Sequence, residues 1–312
     1  MATSHVTSSG ESAAIAGYAT GRISRVRLYG MLTLGITCIG MSAIFTRWAG
    51  VPGTVSALYR VAIAVVVLAF PLGHGLARGS IRVDRRAWLL AAAAGIFFAL
   101  DLSLWNTSLF MTSAATATLL GNDAPIIVGL GALLIFHEQL NRHYWLGLAV
   151  ALAGIVIIAG KDLSSHTAPG AGDLLALTAG VSYASYLLST QRIRSRLDTV
   201  SSLWIPGLTG TVFLLFFNMV THRALWGFSG QTYLSLLGLG IVSQVVGWLA
   251  INYALGHLPA SVVSVTLLGQ PVLTALFAIP FLGEYLSGNQ IVGGVVALTG
   301  IYLVNRGFAR TG

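Results

Sequence analysis

Charge is what this sequence has least of. Only 8% of its 312 residues are Asp, Glu, Lys or Arg, where a water-soluble domain carries about a quarter. Cysteine is nearly absent, and the single Cys38 excludes an intramolecular disulfide and any cysteine-rich metal site. No Gly-x-x-x-x-Gly-Lys-Ser/Thr loop occurs, which argues against direct use of ATP. His137-Glu138 opens like a zinc-protease motif, but Asn141 stands where the second histidine belongs. No paired-aspartate or serine–histidine signature stands out either. An intramembrane enzyme has no visible machinery here, and no cofactor or metal is implied.

What is present is apolar and small: 55% of residues are hydrophobic and 37 are glycine. That composition fits a membrane-embedded bundle, where lipid tolerates few charges and small residues let helices pack closely. A spanning helix needs roughly 20 mostly apolar residues. Ten such stretches are expected, at 27–46, 54–73, 87–107, 112–136, 143–160, 172–191, 200–220, 232–255, 260–283 and 288–305. Residues 1–26, rich in Ser, Ala and Gly without a proper apolar core, read as a disordered cytoplasmic tail and not a cleaved signal. Residues 306–312 read as a second cytoplasmic tail.

The net charge of +8 would point a soluble protein towards nucleic acid. Here the basic residues sit in the connections, so they are a topology signal and no nucleic-acid partner is expected. Arg22, Arg25, Arg27, Arg78, Arg82, Arg85, Arg86, Arg142, Arg192, Arg194, Arg196, Arg306 and Arg310 fall on one side, 13 of the 17 Lys and Arg. Arg47, Lys161 and Arg223 fall on the other. The bias places both termini in the cytoplasm.

A block near the middle recurs near the end at a constant spacing of 146 residues. Asn106, Leu109, Ala114, Pro125, Glu138, Gly147 and Gly154 return as Asn252, Leu255, Ala260, Pro271, Glu284, Gly293 and Gly300. From 106 to 158, 14 of 53 positions match without a gap. Two homologous halves are therefore expected, at 27–160 and 172–305, each with five spans. Five is odd, so the second copy runs upside down relative to the first. Inverted repeats are a recurring plan of secondary transporters, in which two halves exchange conformations around a central site.

Arg60, Asp101 and Asp123 are charges inside expected spans. Each costs about 2.5–3.5 kcal/mol at mid-bilayer on insertion scales, so an unpaired one facing lipid is disfavoured. Arg60 and Asp101 sit at matching depths, about 9 Å from the outer ends of their spans at ~1.5 Å per residue. An Arg60–Asp101 ion pair lining the outer cavity is one expectation, with Asp123 near mid-depth as the rival partner, and a snorkelling Arg60 beside a solvated Asp101 is the other. Polar and aromatic side chains recur at helical spacing: Asp101, Trp105 and Ser108; Gln244, Trp248 and Asn252; Thr266, Gln270 and Thr274; Tyr183, Tyr186 and Thr190. Facing inward, they would line a wet, aromatic-edged cavity for a small amphipathic solute. Trp48, Trp88, Trp145 and Trp226 read instead as interfacial belts.

Pro125 and Pro271 occupy matching places inside the fourth and ninth spans. As interior prolines they would kink their helices and serve as hinges between access states. Glu138 and Glu284 are expected to anchor helix ends. Gly147 with Ala151, and Gly293 with Ala297, give faces for close helix contact, within one chain or between two; monomer and homodimer both stay open.

Gly121-Asn122-x-x-Pro125, then Glu138, Gly147 and Gly154, echoed by Pro271, Glu284, Gly293 and Gly300, resembles the EamA domain of the drug/metabolite transporter superfamily. The resemblance covers roughly 28–158 and 173–304. The second copy departs from the pattern, with Leu267 and Leu268 in place of Gly-Asn. The resemblance implies an all-α membrane protein of ten helices as two inverted five-helix repeats, with both termini in the cytoplasm. It implies export or exchange of small metabolites across the bacterial cytoplasmic membrane, similar to the aromatic amino-acid exporter type. The Tyr and Trp stripes favour aromatic or large neutral amino acids. A carrier of cationic drugs, polyamines, nucleosides or nucleotide sugars is the alternative, with Asp123 as a carboxylate free of Arg60. A scaffold or receptor without turnover has no need of so many polar stripes.

Overall fold

In a computed structural model of the chain, residues 25–79, 81, 84–108, 111, 112, 114–159, 170–283 and 285–311 are described. The expected tail up to residue 24, Lys161 and Glu284 lie outside them. Ten helical segments follow one another. They are α1 (Arg25–Ala49), α2 (Gly53–Ala77), α3 (Arg85–Ser108), α4 in two halves (Ala114–Gly121 and Ala124–Ile135) and α5 (Arg142–Ala159). They continue as α6 (Ala171–Arg194), α7 (Thr199–Val220), α8 (Gly230–Leu255), α9 in two halves (Ala260–Leu267 and Gln270–Leu282) and α10 (Gly288–Thr311).

Eight of these are long and apolar enough to cross a membrane: all but α4 and α6. The second half of α4 is a shorter apolar helix. α6 is long enough, at 24 residues, but Ser182, Tyr183, Tyr186, Thr190 and Gln191 lower its hydropathy, and most of these are turned into the protein.

The internal repeat reappears as a register of helix starts. Arg25 and Ala171, Gly53 and Thr199, Ala114 and Ala260, Ala124 and Gln270, and Arg142 and Gly288 each open a helix, and each pair differs by 146. Packing obeys the same exchange. α3 lies on α6 as α8 lies on α1; α2 meets α8 as α7 meets α3; α4 meets α6 as α9 meets α1. The pairs α2·α7, α4·α9 and α5·α10 map onto themselves.

Two departures from plain helices were not expected. The fourth and ninth spans are not kinked rods; each stops and restarts. At the breaks, Asp123 N bonds Leu120 O and Gly269 N bonds Thr266 O, both one residue tighter than α-helical pairing. Pro125 and Pro271 stand in the first turn of the second halves. There a missing N–H leaves no broken bond, so the interior-proline reading is corrected to proline as a helix opener. The prolines inside helices are Pro71, Pro206 and Pro280. The second departure is a π-helical stretch in α8, Leu239–Gly247, a rare form frequent at functional sites.

Close approach is bought by missing side chains at α5·α10. A Cβ on Gly147 would stand 2.8 Å from Gly300 O, and one on Gly293 2.7 Å from Gly154 O. The small-residue faces left open by the sequence are thus used within one chain.

Candidate functional site

Arg60 enters from α2 and its side chain turns towards α3 and α8. Its Nε donates to Gln244 Oε1 at 2.5 Å. Its Cζ stands 5.9 Å from the centre of the Phe98 ring, within cation–π range. The side chain is committed to the protein interior, so the snorkelling expectation is not met. Asp101, Tyr183 and Tyr186 are the ionisable groups within electrostatic reach of it. Among the described residues no contact ion pair joins Arg60 to Asp101, and no acceptor lies within hydrogen-bond range of the Arg60 Nη atoms. The expected pair is a near approach and not a contact.

Four rings surround this place. The centroid of Phe98 is 4.8 Å from Tyr186 and 5.3 Å from Trp248. Trp248 is 5.3 Å from Tyr186 and 6.2 Å from Tyr183, at 90° to the latter. Such edge-to-face contacts suit the ring quadrupoles. Tyr186 and Trp248 are 1% and 2% exposed, so the expected wet cavity is here a closed cage of rings. Two concavities among the described residues lie elsewhere. One, of about 230 Å³, is lined by Gly53, Thr54, Asn106, Thr107 and Arg223 among others. The other, of about 380 Å³ and almost wholly apolar, runs past Phe45, Trp48 and Ile241. Inside the cage the Trp248 Nε1 donor is buried without a partner, a state that costs about 1–3 kcal/mol and that an acceptor on a guest molecule would relieve.

Asn252 closes the floor. Its Nδ2 donates to Trp248 O at 3.0 Å, its backbone oxygen accepts from Arg194 Nε at 2.9 Å, and Ser202 Oγ donates to its Oδ1 at 3.4 Å. Its repeat mate Asn106 makes the same backward bond, Nδ2 to Leu102 O at 2.5 Å. Asn106 packs against Gly53 at the start of α2, as Asn252 meets Ser202 in the first turn of α7. The buried Asn252 is sealed, whereas Asn106 borders the 230 Å³ concavity.

The other candidates lie at the helix breaks, with Asp123 still within electrostatic reach of Asp101. Asp123 occupies the break in α4, with Oδ1 buried and unpartnered; the missing side chain of Gly180 on α6 leaves it room. Trp105 packs on Gly121 beside the same break, where a Cβ would come 3.1 Å from its Cδ1. Gln270 sits at the break in α9 and faces α1, 3.5 Å from Ile39 O, while Thr274 donates to Gly40 O at 2.9 Å. Thr266 accepts from Asn305 on α10 at 3.1 Å. The Gln270 stripe therefore serves packing and not the cage.

Two features escaped the sequence reading. Phe98 is apolar in an apolar span and offers no contrast, although its number differs from that of Gln244 by the repeat spacing. Glu138 does anchor a helix end, but in the other repeat: Ser261 Oγ donates to it at 2.7 Å and Gln191 Nε2 at 3.1 Å. Among the described residues no group of three or more His, Cys, Asp or Glu is placed to hold a metal.

Comparison with known proteins gives this arrangement a context. The EamA-like transporter family model matches residues 28–160 and 170–306. The chain is 27% identical over 261 residues to a probable terminal-alkyne amino-acid exporter of Streptantibioticus cattleyicolor, covering 82% of this chain and 84% of the relative. It is 29% identical over 208 residues to a probable amino-acid metabolite efflux pump of Salmonella typhimurium, covering 64% and 69%. It is 25% identical over 232 residues to the uncharacterized transporter YwfM of Bacillus subtilis, covering 72% and 76%. A crystal structure shares the fold at a TM-score of 0.78 and 19% identity, over 92% of this chain and 99% of its own.

Proposed function

We propose a substrate and a route for a chain that belongs to the EamA-like transporter family and is therefore a multi-pass membrane transporter and not an enzyme. The substrate is a small amino acid, aromatic or large neutral, exported or exchanged across a bacterial cytoplasmic membrane. The observation that carries this reading is the Arg60 guanidinium held at the ring cluster by Gln244 and Phe98, with Asp101 within electrostatic reach but not in contact. A zwitterion between Arg60 and Asp101 satisfies both charges: its carboxylate meets the Arg60 fork and its ammonium meets Asp101. Its apolar side chain then displaces ring from ring among Phe98, Tyr183 and Trp248. Relatives named as amino-acid exporters support the same substrate class.

The route is alternating access. The repeats exchange shapes about the breaks that Pro125 and Pro271 open, and the cage faces one side and then the other. The test is counterflow of labelled amino acids in proteoliposomes. Phenylalanine or leucine exchange is expected, with Asp101→Asn and Trp248→Ala each lowering it by about tenfold or more. Unchanged exchange in both variants counts against the site.

A second reading rests on Asp123, whose carboxylate faces Gly180 with Oδ1 buried and unpartnered. It favours a cationic solute. Growth protection against cationic dyes that is lost in Asp123→Asn would select it.

A further inference from the structure

The guanidinium of Arg60 is gripped from two sides by residues whose numbers differ by the repeat spacing. Phe98 on α3 offers its ring face 5.9 Å from Cζ, and Gln244 on α8 takes Nε. Arg60 itself is not repeated, since Pro206 stands at the equivalent place on α7. The site therefore has one cation on one side of an otherwise paired architecture.

A guanidinium offers a carboxylate two forks, one along Nε and Nη and one between the two Nη atoms. The Gln244 bond occupies the first. The Phe98 ring face stands on another side, 5.9 Å from Cζ. What remains is the fork between the Nη atoms, which meet no acceptor among the described residues. Gln244 is in turn fixed: it is 2% exposed and sits within the π-helical stretch Leu239–Gly247. That stretch is held against α1, where Ser243 Oγ donates to Cys38 O at 2.9 Å and a Cβ on Gly247 would lie 3.1 Å from Cys38 Cβ. The local π geometry sets which way residue 244 points, because an extra residue per turn rotates every side chain that follows.

We infer that Gln244 is a positioning residue that sets carboxylate specificity, by occupying the Nε edge of Arg60 and turning its terminal fork towards the cage. This rests on the site proposed above but not on which amino acid is carried. A guest with a carboxylate is gripped at two points, and the corresponding amide at one at most. In the absence of Gln244 the guanidinium rotates, and acid and amide become alike.

Thermal stabilisation of the purified full-length protein by phenylacetate and by phenylacetamide tests this directly, beside counterflow of labelled phenylalanine, which tests the transport reading separately. The wild type is expected to be stabilised by the acid and hardly by the amide. Gln244→Met is expected to melt cooperatively and to lose that preference. In an Arg60→Lys background, which has no fork to orient, Gln244→Met is expected to change nothing further. Retained acid preference in Gln244→Met overturns the inference, as does an equal loss in both backgrounds or a wild type that does not distinguish acid from amide. Where Gln244→Met does not melt cooperatively, Gln244→Asn decides. Its amide is one methylene too short to reach Nε, so it is expected to lose the acid preference, and a preference for phenylacetate as strong as the wild type's overturns the inference.

Discussion

Ser261 Oγ donates to Glu138 Oε2 at 2.7 Å, joining residues 123 apart. The other carboxylate oxygen accepts from Gln191 Nε2 at 3.1 Å, and Gln191 Oε1 accepts from the backbone N of Ala260 at 2.7 Å. Glu138 leaves the first repeat, and everything it holds belongs to the second. The network also occupies an orphan N–H at the start of α9. The charge bias predicts that this end faces the cytoplasm.

The first prediction follows from that network. Removing a charged acceptor from a partly buried pair costs about 1–3 kcal/mol. Glu138→Ala is expected to lower the melting temperature in detergent and to speed thiol labelling of a cysteine placed at Ser261. Glu138→Gln keeps an acceptor and falls between. Unaltered melting and labelling in Glu138→Ala would show that these bonds do not hold the end shut.

The α5·α10 seam gives a second prediction. Gly154 meets Ala297 backbone closely, and Gly300 meets that of Ala151. These neighbours are backbone and not flexible side-chain ends, so they do not move aside. Gly154→Val is expected to cost more than the usual 1–3 kcal/mol of overpacking, seen as aggregation on size exclusion. Gly73→Ala on α2, where a Cβ meets nothing within 4 Å, is expected to behave as wild type. Equal behaviour of the two would remove the seam from the fold's support.

Much of this was legible in the sequence for physical reasons. The 146-residue spacing passes directly into helix starts such as Gly53 and Thr199, because homologous segments fold alike. Arg60, Tyr186, Gln244, Trp248 and Asn252 converge because polar groups in lipid need protein partners. The breaks in α4 and α9 were not legible: 112–136 and 260–283 are each apolar enough on average to read as one span, and mean hydropathy does not register a backbone that stops and restarts at Asp123 or Gln270. The π turn before Trp248 leaves composition unchanged. Trp105 and Gln270 show the limit of face arguments, since spacing gives a side of a helix but not which neighbour lies there.

A pH dependence is predicted outside the membrane. Asp84 caps α3 by accepting from Arg86 N at 3.0 Å and Ala87 N at 3.4 Å, and pairs with Arg196 at 3.1 Å. The Ala87 amide first, then Arg196, hold its carboxyl below the usual carboxylate value despite some desolvation. A depressed folded value means the stabilisation is present above the unfolded value of 3.8 and is lost as pH falls below it towards the folded one. The pair is exposed, so the effect is small and weakened by salt. Melting curves of Asp84→Asn and wild type are expected to differ at pH 7 and to converge as pH falls below about 3.8. A difference that persists at low pH would mean that the charge is not what Asp84 contributes.

The breaks at Pro125 and Pro271 give the last prediction, in which stability and flux move in opposite directions. At its position in the opening turn of the second half-helix, Pro125 disrupts no existing bond. It does prevent one: with an N–H at 125, the amide could reach the carbonyl of Gly121 and heal α4 into a continuous helix. The same holds for Pro271 and Leu267 in α9. Pro125→Ala is thus expected to leave thermal stability unchanged or raised by up to ~1 kcal/mol, because one backbone bond is gained while the unfolded chain gains freedom. Counterflow is expected to slow severalfold, since a healed rod resists the bending that exchanges the two access states. The double variant with Pro271→Ala is expected to be slower still, as two repeats that must bend together are both stiffened. Normal flux in the double variant, with folding intact, would take the breaks out of the transport cycle and leave them as packing features of α4 against α6 and α9 against α1.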